Sequence, residues 1–120
     1  MNKVSKIKKL LKDPINEFRI KRYRYSLKRS KSSEDYLKIK FNMLKNVKSD
    51  INEHMNTLSS YASKVETIFE TGVRGVVSSW AFLEGLKRNQ LKVKKLFLND
   101  VEECDLSEII PIANELEIDL

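Results

Sequence analysis

Hydrophobic residues recur at helical spacing through the first half of the chain, and short continuous apolar runs appear only after residue 64. The first predicted helix spans residues 3–12, where four apolar side chains fall on one face: Val4, Ile7, Leu10 and Leu11. Pro14 disfavours helical backbone at the residue before it, so it is expected to end this helix. In residues 15–31 apolar and basic residues alternate only loosely, and both strand and helix remain open.

Two more apolar stripes predict helices in the middle of the chain. A short linker is expected at residues 30–33, after which Ser33 would cap a helix that begins with two acids, Glu34 and Asp35. The apolar stripe of this helix consists of Leu37, Phe41, Leu44 and Val47. A further helical segment begins at Asp50, and its stripe consists of Ile51, Met55, Leu58 and Tyr61.

Branched and aromatic residues then indicate a change to α/β structure. The run Val65–Phe69 predicts a buried strand, because its apolar residues are β-branched or aromatic. The segment Glu70–Gly75 holds two of the three glycines of the chain and predicts a turn. A helix is expected over Val76–Leu86, where apolar residues cover much of the circumference. Strand, glycine turn and helix therefore follow one another directly.

The same alternation continues to the last residue. Leu96–Leu98 predicts a second strand, which Asn99 and Asp100 close. Ser107 is expected to cap a last helix, with Pro111 near its first turn, and residues 118–120 would begin another strand. Alternating strands and helices imply a parallel sheet joined by right-handed crossovers, so the sequence predicts an α/β fold.

Charge divides the chain into two unequal parts. The 120 residues carry a net charge of +6, with 23 basic and 17 acidic side chains. Residues 1–50 hold 16 basic and 5 acidic side chains (net +11), whereas residues 51–120 hold 7 and 12 (net −5). Two interpretations remain open: a basic arm that meets a polyanion, or a lysine-rich helical surface that is simply solvated.

The rare residue types exclude several classes of protein. One cysteine, Cys104, excludes an internal disulfide, and with the single histidine, His54, it excludes a His/Cys zinc cage within one chain. The acidic neighbours of Cys104 disfavour a thiolate nucleophile, and His54 is expected at an ordinary polar position. No apolar run has the length of a membrane span, and the N-terminal residues lack a secretory signal, so a cytoplasmic location without membrane contact is expected.

The glycine turn is the candidate site. Glycines let the backbone approach a ligand closely, and the free N–H groups of the following helix would face the same crevice. Asp100 lies 28 residues after Gly72, at the end of the next strand, where a carboxylate can accept both hydroxyls of a ribose. Arg74 stands where a G-x-G-x-x-G fingerprint has its second glycine, which favours a ligand without a pyrophosphate.

Residues 70–81, ETGVRGVVSSWA, resemble motif I of the class I S-adenosylmethionine-dependent methyltransferases. The matching positions are Glu70, Gly72, Val73, Arg74, Val77, Ser78, Ser79, Trp80 and Ala81. The resemblance extends over residues 50–120 and implies a Rossmann-like fold, S-adenosylmethionine as cofactor and methyl transfer as activity. It also implies the cofactor-binding residues, which are Glu70, Gly72, Val73, Arg74 and Gly75 for the methionine part and Asp100 for the ribose.

The chain departs from this family in two ways. Val76 stands where many members have glycine, although Gly75 precedes it directly. The family has a seven-stranded sheet and a catalytic Asn/Asp-Pro-Pro-aromatic segment, whereas this chain supplies two strands, the start of a third and no such segment. The expected architecture is therefore an incomplete Rossmann-like parallel sheet (β-α-β-α) over residues 50–120, preceded by a basic, mainly helical region over residues 1–49.

Three interpretations of this incomplete unit remain open: a fragment of a longer protein, a truncated gene, or a module completed by self-association or a partner. Neither the methyl acceptor nor a catalytic base can be named. Two functions of other classes compete with methyl transfer. One is a non-enzymatic nucleic-acid-binding protein that uses the basic region, in which Tyr23 and Tyr25 alternate with Arg22 and Arg24. The other is an inactive remnant that serves as a partner subunit.

Overall fold

The computed structural model describes residues 14–73, 75–91, 93–101 and 103–120, and shows a mixed α/β chain. Within these ranges lie five α-helices, a 3₁₀ turn and a two-stranded parallel sheet. The elements in chain order are α1 (Pro14–Lys28), α2 (Ser33–Asn46), the 3₁₀ turn (Asn52–His54), α3 (Met55–Ala62), β1 (Thr67–Thr71), α4 (Ser78–Arg88), β2 (Lys95–Asn99) and α5 (Ile109–Glu115). The helix predicted over residues 3–12 lies outside the described residues.

Helix α1 resolves the segment that sequence pattern left undecided. It begins at Pro14, and proline suits a first helical position because its fixed φ is helical and its missing N–H has no partner there. The helix packs against α2 and against the backbone that follows α2. The buried Asn16 accepts a hydrogen bond from the backbone N–H of Lys48 (3.0 Å), and Asn46 donates to the hydroxyl of Tyr23 (2.9 Å).

Two predicted caps differ from those observed. The cap of α2 is Ser32 rather than Ser33, because Ser32 has extended backbone and its side chain accepts from the N–H of Asp35 (3.0 Å). Ser107 does not cap α5; its backbone N–H (3.0 Å) and hydroxyl (2.6 Å) donate to the carboxylate of Asp105 in the preceding loop. Both predictions took a serine ahead of an apolar stripe as the cap, and this pattern alone does not show which group the hydroxyl bonds to.

The two strands are parallel, as the alternation of elements predicts. Their register runs from the pair Thr67 and Lys95 to the pair Thr71 and Asn99. Strand β1 begins two residues later than predicted, because the N–H of Val65 still bonds to the carbonyl of Ala62 at the end of α3. At its other end β1 includes Glu70 and Thr71, which were predicted to belong to the turn.

A third chain segment touches the free side of β2. The N–H of Leu96 donates to the carbonyl of Asp119 (2.8 Å), and the N–H of Asp119 donates to the carbonyl of Lys94 (2.9 Å). Asp119 thus forms one parallel bridge with Lys95, so the predicted third strand is present as a single bridge. Strand β1 pairs only with β2 among the described residues and forms the outer edge of the sheet.

One hydrophobic core joins α2 to the sheet and its helices. Trp80 of α4 is 1% exposed, and its ring lies 6.1 Å from that of Tyr36 on α2. The buried members of this core include Leu37, Phe41, Met55, Trp80, Leu83, Leu86, Leu96, Ile109 and Ile118. None of the described helices is long and apolar enough to cross a bilayer. The boundary at residue 49 remains a prediction, and α2 contributes side chains to the core of the segment beyond it.

Candidate functional site at the glycine turn

The turn after β1 is built around Gly72. Its φ of +70° lies in the left-handed region, which a residue without a Cβ adopts at no steric cost. Its N–H donates to the carbonyl of Asn99 (3.0 Å), which ties the turn to the end of β2. A methyl group added at Gly72 would meet no atom within 4 Å, so the backbone of the turn is open to a ligand.

Asp100 follows β2 directly, as the sequence predicts. Because Thr71 pairs with Asn99, the next residues of the two strands, Gly72 and Asp100, are neighbours at the carboxyl edge of the sheet. This edge is where parallel α/β sheets bind their ligands. The structure therefore brings together the glycine and the acid that the sequence selected from positions 28 residues apart.

Glu70 is buried, whereas a side chain that contacts a ligand at the surface would face solvent. Its side chain is 8% exposed, and its two carboxylate oxygens accept hydrogen bonds from the hydroxyls of Ser78 and Ser79. These serines form the first turn of α4, so Glu70 fastens the start of the helix to the end of β1. A negative charge also suits this end of a helix dipole. Glu70 thus holds the turn in position from its buried side.

The remainder of the turn combines a buried side chain with strained backbone. Val73 is 5% exposed and belongs to the core, whereas Gly75 is exposed. Val76 has φ +55°, a conformation that costs a β-branched residue on the order of 1–3 kcal/mol. This is the position at which many members of the resembled family have glycine, and Gly75 does not take over its positive φ. Arg74, a predicted cofactor contact, lies outside the described residues.

A cavity of about 240 Å³ adjoins the turn, and it is lined in part by Gly75, Val76, Trp80, Lys40, Asp105 and Glu108. The ammonium group of Lys40 lies 2.9 Å from the carboxylate of Glu108 and 5.5 Å from the centre of the Trp80 ring. Charges of both signs therefore lie beside the strained part of the turn.

Burial and hydrogen bonds shift the pKa of two groups around this cavity. The hydroxyl of Tyr36 donates to Glu108, and burial, with a smaller contribution from Glu108, raises the pKa of Tyr36 above its ordinary value. The phenol consequently stays a neutral donor. Hydrogen bonds from the side chain and then the backbone of Ser107 lower the pKa of the Asp105 carboxyl. Asp105 therefore remains an anion to lower pH than an ordinary aspartate.

The cavity cluster escaped sequence reasoning, because its members are far apart along the chain. Tyr36 and Glu108 are separated by 72 positions, and no motif links them. The only signal was the apolar stripe of α2, which predicted a buried face without indicating its partner. Of the other residues singled out, His54 is exposed and Cys104 is half-buried. No metal-binding cluster of His, Cys, Asp or Glu occurs in the part of the chain that the structure describes.

The basic helix α1 presents a second surface. A groove of about 560 Å³ lies between α1 and the end of α2, and its lining includes Phe18, Arg19, Arg22, Tyr23 and Asn46. Phe18 is 67% exposed. The guanidinium of Arg29 stacks on the ring of Tyr25 at 5.3 Å and donates to its hydroxyl (2.6 Å). Aromatic and basic side chains therefore share one exposed region.

Comparison with known proteins assigns the chain to no family. No protein-family model matches it, and neither a curated protein nor a solved structure matches it significantly.

Proposed function

We propose that the chain binds S-adenosylmethionine at the carboxyl edge of its sheet, in a Rossmann-like arrangement, and acts in methyl transfer. The observation that carries this proposal is the pairing of Thr71 with Asn99, which makes the open Gly72 and the acid Asp100 neighbours. The resemblance of residues 70–81 to a methyltransferase motif supports the same ligand.

The open backbone and the charge of this edge support such a ligand. Gly72 and Gly75 leave the backbone accessible, and Asp100 would accept hydrogen bonds from the two ribose hydroxyls. The carboxylate of Glu70 occupies the start of α4, where a pyrophosphate would otherwise bind. Two carboxylates at one edge favour a ligand with cationic groups, such as a sulfonium and an ammonium, over a polyphosphate.

The chemistry resides mainly in the cofactor, which supplies an activated methyl group when bound. The contribution of the chain would be to hold the donor in a fixed orientation towards an acceptor, which is a large part of catalysis in transfer reactions. Glu70 serves this purpose indirectly, because it fixes the start of α4 and hence the turn.

Calorimetric titration of the full chain with S-adenosylmethionine tests the proposal. We expect saturable binding that Asp100→Ala weakens about tenfold or more, since a charge-assisted hydrogen bond contributes about 1.5–3 kcal/mol. Asp119→Ala is the matched control, because its side chain is exposed and only its backbone bonds to β2. Absence of binding by a folded sample would refute the proposal, and equal binding of adenosine triphosphate would refute the ligand class.

A second candidate function rests on the surface of α1. Five basic side chains and one acidic side chain give this helix a net positive charge. The three ion pairs found among the described residues involve Lys40, Lys87 and Arg88, all outside α1. Exposed aromatic rings next to guanidinium groups that form none of these ion pairs are typical of surfaces that bind single-stranded nucleic acid. We propose this binding as the alternative activity.

Salt dependence distinguishes nucleic-acid binding from nonspecific adhesion. Binding of a labelled single-stranded oligonucleotide should weaken steeply with salt, because each phosphate contact releases counterions. The double variant Arg19→Ala/Arg22→Ala should lower the slope of log K against log salt by about 1.4, which is two single-strand contacts. Lys64→Ala, an exposed lysine outside α1, is the control and should change little. A flat salt response would contradict this function.

A further inference from the structure

Within the described residues, strand β1 has no strand partner on the edge that faces away from β2. The N–H of Lys95 bonds to the carbonyl of Glu66, and the N–H of Gly72 bonds to the carbonyl of Asn99. The even-numbered residues on the β1 side, from Glu66 to Gly72, therefore direct their backbone groups towards β2. Alternate residues of a strand direct their backbone groups to opposite edges. The N–H and C=O groups of Thr67, Phe69 and Thr71 therefore point outwards.

The outer face of the same strand is apolar and exposed. Phe69 is 65% exposed and Phe97, its neighbour in register, is 48% exposed; their ring centres are 6.3 Å apart. Helices cover the opposite face, where Leu96 is 1% exposed. Natural edge strands usually carry lysine, proline or a bulge that prevents further pairing. β1 has none of these over Thr67–Thr71, and its only charged side chain, Glu70, points inwards.

We propose that β1 pairs antiparallel with β1 of a second copy of this chain, about a two-fold axis at Phe69. The outward residues read Thr67, Phe69, Thr71, which is the same sequence in both directions. In a two-fold interface between identical chains, residue i of one copy faces residue j of the other and j faces i, so the patch must be complementary to itself. An unrelated strand places no such demand, so the palindrome favours a second copy over another protein.

One register satisfies every outward backbone group. With Phe69 opposite its own copy, Thr67 lies opposite Thr71, and each of these pairs is of the type that exchanges two hydrogen bonds. A shift by two residues in either direction leaves one of these residues without a partner on the other strand. The same register forms a row of four phenylalanines on the exposed face, from Phe97 and Phe69 of one copy to Phe69 and Phe97 of the other.

Charge allows this pairing although each chain is net positive. Lys95 is next to Thr67, so the two lysines of a pair would lie in different rows at opposite ends of the joint sheet. Glu66 of one copy would face Gly72 of the other, which brings no like charges together. The interface is small, and we expect a reversible dimer whose population rises with protein concentration. The proposal does not depend on the proposed function.

Sedimentation equilibrium of the full chain across micromolar concentrations tests the dimer. Phe69→Lys would place two ammonium groups opposite each other and should weaken dimerisation at least about tenfold. Val101→Lys is the control, because Val101 is fully exposed and lies beyond β2. A monomer at every concentration, or unchanged association of Phe69→Lys, would overturn the proposal.

Cross-linking reports the register and serves even where Phe69→Lys fails to fold. In a Cys104→Ser background, Phe69→Cys should join to its own copy with a short thiol-specific reagent, because paired Cα atoms are about 5.5 Å apart. Thr67→Cys and Thr71→Cys should each remain unlinked alone and should link when the two variants are mixed. Linking of Thr67→Cys to itself would refute this register, and linking of none of them would refute the pairing.

Discussion

Replacing Gly85 by alanine is expected to lower the free energy of unfolding by about 3 kcal/mol, although alanine is the better helix former. Gly85 lies in α4 where α3 packs against it. A Cβ at this position would overlap the carbonyl oxygen of Ser59 and lie 2.5 Å from the Cβ of Ala62. Since the overlapping atom belongs to the backbone, the two helices must separate. Denaturant unfolding monitored by circular dichroism measures the effect.

The other two glycines provide matched controls for the same substitution. Gly75→Ala should change stability by no more than about 0.5 kcal/mol, because an added methyl group would lie 3.9 Å from Val77. Gly72→Ala should cost about 1–2 kcal/mol, since the site has room but φ is +70°. If Gly85→Ala proved as stable as Gly75→Ala, α3 and α4 could not be packed as closely as the structure has them.

The sequence pattern predicts a helix well where burial of one face makes apolar residues recur at a single, helical spacing. The segments around Phe41 and Trp80 have broad apolar stripes, both side chains are at least nine-tenths buried, and both segments are helices. Helix α1 buries only Asn16 and Leu27, so its exposed apolar residues follow no stripe and its period stayed ambiguous. Caps and strand ends shifted by one or two residues, because each depends on a single hydrogen bond rather than on a repeated pattern.

The same distinction applies to the candidate site. Gly72 and Asp100 could be predicted together, because parallel strands necessarily align their carboxyl ends. The burial of Glu70 by Ser78 and Ser79 could not, since nothing in the motif indicates which way the carboxylate turns. The positive φ of Val76 contradicts the ordinary preference of valine, and only the tertiary packing of the turn imposes it.

Leu37→Ala is expected to lower the free energy of unfolding by about 3 kcal/mol. We expect this loss to appear in the unfolding transition that Trp80 emission reports. Leu37 lies on α2, is 1% exposed and belongs to the same core as Trp80, Leu96 and Ile109. Truncating a buried leucine removes its transfer free energy and leaves a cavity. Because Trp80 is the only tryptophan, its emission during denaturation follows the segment beyond residue 49.

The outcome decides whether the basic helical region and the α/β segment unfold as one cooperative unit. Lys38→Ala, at the exposed neighbouring position, should leave the midpoint nearly unchanged and so excludes a general effect of altering α2. If Leu37→Ala left the Trp80 transition in place while helical signal was lost separately, residue 49 would be a true domain boundary. A common shift instead means that α2 supplies one wall of the core on which the glycine turn rests, since Lys40 and Tyr36 of this helix contact Trp80 directly behind that turn.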